Sequence, residues 1–152
     1  MGNLVGEVVY NKFINETVKV KIYKSIVDRL IVSSEIFYGY LEEELQHTLN
    51  PCLKEDMKSI EKITEELQNN KSTNLVEKDI MLTVSEFLIF RYAVENTAPL
   101  TGTVILNNKQ SIEYMDFVIG LDKINDTLDT DEIKDYYEFL SSYDVSQFTI
   151  LN

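Results

Sequence analysis

The pattern of apolar and polar positions near the N-terminus predicts a strand followed by a helix. Residues 17–22 alternate apolar and basic side chains, which is the period of a half-buried strand. The apolar residues 4–10 are a candidate partner, so the two segments are expected to form an antiparallel hairpin. An alternative is one helix from Glu16, because apolar residues also recur every four positions from Val18 to Leu30.

Two amphipathic helices are predicted next. The first begins with Ser25 as its N-cap and ends before Pro51, since the residue before a proline is pushed out of the helical region. The second covers residues 53–69 and has one apolar face and one charged face. The apolar face is formed by Leu53, Met57, Ile60, Ile63 and Leu67, and the charged face includes Glu55, Asp56, Lys58 and Glu65.

Residues 75–94 predict a third helix of a different kind, because apolar side chains surround nearly its whole circumference. Such a helix is usually the central, buried element of its domain. Glu86 and Arg91 lie within its most apolar stretch, and at five residues apart they do not face each other. Arg91 and Glu95 are one helical turn apart, so an ion pair between them is expected.

The segment that follows this helix is harder to interpret. Residues 103–106 form a short β-branched run, which predicts a strand. Residues 112–119 fit either a helix or a strand, because their apolar positions match both periods. Gly120 is expected to interrupt the chain there, with a new apolar stripe beginning after it.

The C-terminal pattern completes the fold prediction. Residues 131–143 predict a last helix capped by Asp129 or Thr130, and residues 147–151 predict a terminal strand. We therefore expect residues 1–152 to form a single mostly helical α+β domain. Four to five helices would surround a central apolar helix beside a small antiparallel sheet, and an all-α bundle is the alternative.

Composition narrows the classes of function. The chain has 152 residues with 26 acidic against 14 basic side chains, a formal net charge of −12. Direct nucleic-acid binding is not expected, since a phosphate-binding surface must be basic. A single cysteine, Cys52, leaves no intramolecular disulfide or multi-thiolate zinc site. Without a signal peptide or an apolar run of membrane length, we expect a cytoplasmic protein that does not contact membranes.

Few residues are candidates for catalysis or metal binding. His47 is the only histidine, so Glu44 and His47 supply one Glu-x-x-His pair where a di-iron bundle needs two. Cys52 and His47 flank a predicted helix end with no group placed to orient the imidazole, so a structural cysteine is favoured. A buried Glu86 is the remaining candidate acid. No catalytic set, cofactor or metal site is expected.

Alternating oxygen ligands near residue 127 resemble a calcium loop in part. Asn125, Thr127, Asp129 and Asp131 have the spacing, but Thr130 stands at the glycine position and Tyr136 at the bidentate glutamate position. Helix capping and a solvated loop explain these residues better.

The negative charge is concentrated toward the C-terminus. Residues 1–40 have a net charge of +1, whereas residues 110–152 carry two lysines against ten acidic residues. On the predicted last helix, Asp131, Asp135 and Glu138 share one face at about 5 Å per carboxylate, within the Debye length of about 8 Å. The predicted partner-binding residues are Asp122, Asp126, Asp129, Asp131, Glu132, Asp135, Tyr136 and Glu138, with nearby tyrosines as anchors.

We therefore expect a non-enzymatic acidic protein that occupies a basic surface of another protein. Examples are a phage or viral inhibitor of a host defence or nucleic-acid enzyme, and an immunity protein for a basic toxin. One alternative is a structural protein whose helical stripes form a homodimer, and another is an enzyme that uses Glu86 or the Glu44–His47 pair. Lys19, Lys21 and Lys24 form a small basic patch where an acidic partner would dock instead.

Overall fold

The computed structural model describes residues 16–47, 51–101, 105–128 and 131–145. Within these ranges the chain forms five α-helices and a two-stranded antiparallel sheet, which confirms the mostly helical α+β prediction. The elements in chain order are β1 (Thr17–Tyr23), α1 (Val27–Leu45), α2 (Pro51–Lys71), β2 (Glu77–Thr83), α3 (Val84–Thr97), α4 (Asn108–Thr127) and α5 (Asp131–Leu140).

The sheet pairs two strands that are distant in sequence. β1 is the predicted strand, and it pairs antiparallel with β2 from Thr17 opposite Thr83 to Tyr23 opposite Glu77. The prediction of one helix over residues 75–94 is therefore wrong over its first half. The side chains of Ile80 and Leu82 are buried and alternate with exposed neighbours, so β2 has the period of two that pairing with β1 requires. The proposed hairpin partner at residues 4–10 lies outside the described residues.

The second half of that apolar segment is the central helix, as predicted. α3 contributes ten buried residues and packs against α1, α2, β2 and α5. Its N-terminus is fixed by a capping box, in which the Thr83 hydroxyl accepts from the Glu86 N–H and the Glu86 carboxylate accepts from the Thr83 N–H. The box ends β2 and begins α3 at one residue, so strand and helix join without a loop.

Replacing Thr83 by alanine is expected to lower the free energy of unfolding by about 1 kcal/mol, because the cap acceptor for the first turn of α3 is lost. Denaturation in urea measures this. Thr83→Ser is the control, since serine keeps the hydroxyl and should retain most of the stability. Equal losses in the two variants would contradict the cap.

α1 and α2 form an antiparallel pair that covers α3. Ser25 is not the N-cap of α1: it lies in a 3-10 turn, Lys24–Ile26, and its hydroxyl donates to Glu113 at 3.1 Å. The apolar stripe of α2 is core, with the side chains of Leu53, Ile60, Ile63 and Leu67 at most 1% exposed. This stripe packs within one chain, so it is not available as the homodimer interface considered above.

α4 is a single helix that begins with a capping box between Asn107 and Gln110. It runs through Gly120, which does not have a positive φ, so the expected interruption there is wrong. Residues 105 and 106 belong to no strand, and residues 103–104 lie outside the described ranges. The last helix, α5, ends three residues before the predicted boundary; its proposed caps and the terminal strand at residues 147–151 are outside the described part.

Candidate functional site

The predicted acidic residues lie on the surfaces of α4 and α5. Six of them are exposed: Asp122, Asp126, Asp131, Glu132, Asp135 and Glu138. We call these six residues the acidic face. Asp129, which was predicted with them, lies outside the described residues. On α5 the exposed carboxylates follow one another at helical spacing, because Ile133 and Leu140 direct the opposite side of the helix into the core.

The tyrosines predicted as anchors of this surface are not exposed. Tyr136 is 2% exposed and belongs to the core, so its ring cannot contact a partner at the acidic face. Tyr143 is also buried, and Tyr137 is half-buried with its hydroxyl donating to Glu95 at 2.6 Å. The helical period explains the error, since Tyr136 lies three residues after Ile133 and four before Leu140.

The positive charge of Arg91 partly neutralises the negative charge at one end of the acidic face. Its guanidinium pairs with Glu95 at 3.1 Å, which confirms the predicted ion pair, and with Asp122 at 3.2 Å. The guanidinium also lies over the ring of Tyr137, 5.0 Å from its centroid. These contacts connect α3 with α4 through Asp122 and with α5 through Tyr137.

The outward side of α4 carries a line of apolar side chains whose exposure the sequence pattern does not predict. The side chains of Ile112, Met115 and Ile119 are 70%, 59% and 46% exposed. Asp122 and Asp126 continue the same spacing of three and four residues. We call these five residues the α4 stripe, which extends for about 21 Å at 1.5 Å per residue.

The opposite side of α4 is held against β1 and the 3-10 turn. Phe117 and Leu121 pack in the core on this side, and the Gln110 side-chain amide donates to the Ser25 carbonyl at 3.0 Å. Asp116 accepts a hydrogen bond from Tyr23 and pairs with Lys21 at 3.6 Å. The Tyr23 hydrogen bond, followed by the Lys21 charge, lowers the pKa of Asp116. Part of the predicted basic patch is therefore engaged within the chain.

A second group of polar residues is buried between α2 and the C-terminal turn. The Asp56 side chain is 1% exposed, and one of its oxygens accepts a hydrogen bond from the Tyr143 hydroxyl at 2.7 Å. Burial raises the pKa of Asp56 to about 7, although the Tyr143 hydrogen bond acts in the opposite direction. The assignment of Asp56 to the charged face was wrong, since Asp56 follows Leu53 by three residues and so lies beside the apolar stripe.

Two further tyrosines hold the same turn. The Tyr92 hydroxyl donates to the carbonyl of Tyr143, and the Tyr40 hydroxyl accepts from the Asp144 N–H at 2.8 Å. The ring of Phe37 meets those of Tyr92 and Tyr143 edge-on at centroid distances of 5.9 and 6.1 Å. Because these groups are buried, their arrangement fastens the turn after α5 to α1, α2 and α3.

The remaining candidate catalytic and metal-binding residues do not form a common site within the described residues. Cys52 is buried, whereas His47 is exposed just after α1. Glu86 belongs to the capping box and pairs with Lys62 at 3.0 Å. Asn125 and Thr127 lie within α4 rather than in a calcium-binding loop. Across the described ranges, no group of three or more histidine, cysteine, aspartate or glutamate side chains is placed to hold a metal ion.

No family model, curated protein or solved structure matches this chain. In the part of the chain that the structure describes, no helix has both the length and the apolar character needed to cross a bilayer.

Proposed function

We propose that this protein is a non-enzymatic binding protein whose acidic face occupies a basic surface of another protein. The observation that carries the proposal is the exposure of all six described carboxylates of this face on two successive helices. An inhibitor of a nucleic-acid enzyme, encoded by a phage or virus, and an immunity protein for a basic toxin are the kinds of protein that use such a surface.

The electrostatics support association with a basic partner. Residues 110–152 have ten acidic residues and two lysines, and neighbouring carboxylates on the exposed side of α5 are about 5 Å apart, less than the Debye length of about 8 Å. They therefore act on an approaching protein as one negative field, which increases the association rate and fails at high salt. Along α5 one carboxylate follows another about every 5 Å, compared with one phosphate about every 3.4 Å along a DNA strand, so a cleft that binds nucleic acid is one candidate basic surface.

The places of the candidate acids also support binding over catalysis. Glu86 accepts hydrogen bonds from Thr83 and Lys62, and Asp56 is enclosed in the core with Tyr143. A catalytic carboxylate must reach a substrate, and both of these groups instead connect elements of the fold.

Neutralising α5 is expected to abolish capture of the partner. The variant is Asp131→Asn, Asp135→Asn and Glu138→Gln, and the matched control neutralises exposed carboxylates elsewhere, with Glu42→Gln, Glu43→Gln and Glu65→Gln. Immobilised wild type should retain a basic protein from the native host that the α5 variant does not retain and the control does.

The association rate with that protein should fall at least about tenfold when salt is raised from about 0.05 to 0.3 M, because screening shortens the range of the field. Capture that is equal for the α5 variant and wild type would refute the proposal, as would an association rate indifferent to salt.

A further inference from the structure

α4 has two apolar sides, and the described chain covers one of them. Phe117 and Leu121 are buried against β1 and the core, whereas Ile112, Met115 and Ile119 face outward. The two sides differ in sequence context, because only the outward one continues into carboxylates, Asp122 and Asp126.

The spacing of the α4 stripe is that of a seam between two helices. Its residues are separated by three, four, three and four positions, which is the alternation of a and d positions in a heptad repeat. The first three positions are large and apolar, and the last two are acidic. An occupant that matches the stripe along about 21 Å is a helix of about four turns, with an apolar part and a basic part.

A second copy of the chain fits this stripe poorly. In a parallel arrangement, Asp126 would face Asp126 of the other copy, and like charges repel. The same repulsion between the two copies of Asp122 is reduced by the ion pair of each with Arg91. In an antiparallel arrangement, Asp126 would lie against Ile112 of the other copy, which desolvates a carboxylate without a partner charge. Either arrangement is less favourable than one in which Asp126 meets a lysine or arginine. Asp122 already pairs with Arg91 through one oxygen, so Asp126 contributes most to this difference.

Residues 1–15 and 146–152, which lie outside the described ranges, offer the α4 stripe little positive charge. Residues 1–15 contain one lysine and one glutamate, and residues 146–152 contain no charged side chain. Charge complementarity therefore favours a basic partner protein over either of these two segments as the occupant.

We propose that the α4 stripe binds an amphipathic helix of a basic partner protein. The apolar residues of that helix pack on Ile112, Met115 and Ile119, and its lysine or arginine side chains pair with Asp126 and with the Oδ2 atom of Asp122, whose Oδ1 atom pairs with Arg91 at 3.2 Å. This inference rests on the proposed function, to which it adds the form of the partner. Burial of the three apolar side chains gives the complex its stability, while the acidic face increases the rate of encounter.

Synthetic helical peptides of about 21 residues test the inference directly, since three heptads span the stripe. One peptide carries leucine at the a and d positions of its first two heptads and lysine at those of the third. A second has the reverse order, and a third and fourth carry glutamate in place of lysine. We expect one lysine peptide to bind, and its glutamate counterpart to bind at least tenfold more weakly, in fluorescence anisotropy.

Variants of the full chain assign the binding to the stripe. Met115→Asp should lower the affinity for the lysine peptide at least tenfold. Leu75→Asp should leave this affinity unchanged, because Leu75 is exposed to a similar degree, 57%, but lies outside the stripe. Asp126→Lys should move the preference toward the glutamate peptide. Met115→Asp should leave the melting temperature unchanged, because Met115 is 59% exposed and is not among the described residues that pack on the core.

Four results would overturn the inference. The first is that neither lysine peptide binds, and the second is that Met115→Asp binds the peptide as tightly as wild type. The third is that wild type is a dimer in light scattering and Met115→Asp is a monomer. The fourth is a large fall in the melting temperature of Met115→Asp. The third result would identify a second copy as the occupant, and the fourth a segment of the chain itself. If these peptide experiments contradict binding at the α4 stripe but the α5 variant still does not retain the partner, the proposed function remains. Only binding of a helix to the α4 stripe is then excluded.

Discussion

Replacement of Asp56 by asparagine is expected to remove a loss of stability that the wild-type protein undergoes between about pH 4 and pH 7. Asp56 is 1% exposed, and its carboxylate accepts a hydrogen bond from the neutral hydroxyl of Tyr143. Burial disfavours the ionised form in the folded state, whereas the unfolded chain exposes the group to water. Asparagine has nearly the same shape and does not ionise.

The sign of the pH dependence follows from the two pKa values. The ordinary pKa is 3.8, and the pKa in the folded protein is about 7. Above pH 3.8 the unfolded state releases this proton while the folded state keeps it, so each pH unit costs about 1.4 kcal/mol of folding stability. Asp56 therefore favours the folded state most below pH 3.8. Its contribution to the free energy of unfolding falls by about 4 kcal/mol in total between pH 3.8 and about pH 7, and it is constant at higher pH.

Urea denaturation at a series of pH values measures the effect as a difference between wild type and Asp56→Asn. The variant should gain about 4 kcal/mol relative to wild type on going from pH 4 to pH 8. Glu65→Gln, which removes an exposed carboxylate from the same helix, is the control and should follow wild type closely. Parallel stability curves for Asp56→Asn and wild type would show that Asp56 does not have this raised pKa.

Replacement of Phe37 by alanine is expected to cost about 3–5 kcal/mol, because the ring is fully buried and its removal leaves a cavity. Phe37 contacts the rings of Tyr40, Tyr92 and Tyr143, with centroids 5.9 to 6.1 Å away. These rings come from α1, α3 and the C-terminal turn, so collapse around the cavity would have to move three segments. The loss should therefore lie toward the upper part of this range.

The neighbouring Tyr38 provides the control for that substitution. Tyr38 is half-buried and its hydroxyl donates to Glu61 at 2.6 Å, so Tyr38→Phe removes one surface hydrogen bond and leaves the packing intact. The expected cost is below about 1 kcal/mol. Thermal and urea denaturation compare the two variants. A loss below about 2 kcal/mol for Phe37→Ala would mean that the aromatic cluster does not organise this end of the core.

The elements that depend on local pattern were predictable from the sequence, and those that depend on distant partners were not. α2 follows from the spacing of Leu53 to Leu67, since one face of a helix is sufficient to define it. β2 was assigned to a helix because Ile80 and Leu82 continue into the apolar run of α3. The pairing of β2 with β1 decides between the two periods, and a register between residues 17 and 83 has no local signal.

In the candidate site, too, some features were predictable from the sequence and others were not. Exposure of Asp131 and Asp135 was predictable, because ionised side chains are rarely buried without a partner. Exposure of Met115 was not, because α4 offers two apolar sides and either one can be packed inward. The hydrogen bond from Ser25 to Glu113, and that from Tyr23 to Asp116, fix the rotation of α4 about its axis. These contacts join residues that are far apart in sequence.

The long separation between β1 and β2 also bears on how the chain folds. A strand pair of this kind must close a long loop, and the entropy of closure slows its formation. The antiparallel helices α1 and α2 shorten that search, since Lys71 at the end of α2 meets Asp28 at the start of α1, with their charged atoms 3.0 Å apart. Once this helical hairpin has formed, only a short connection separates the strands. We therefore expect the sheet to form after this helical pair.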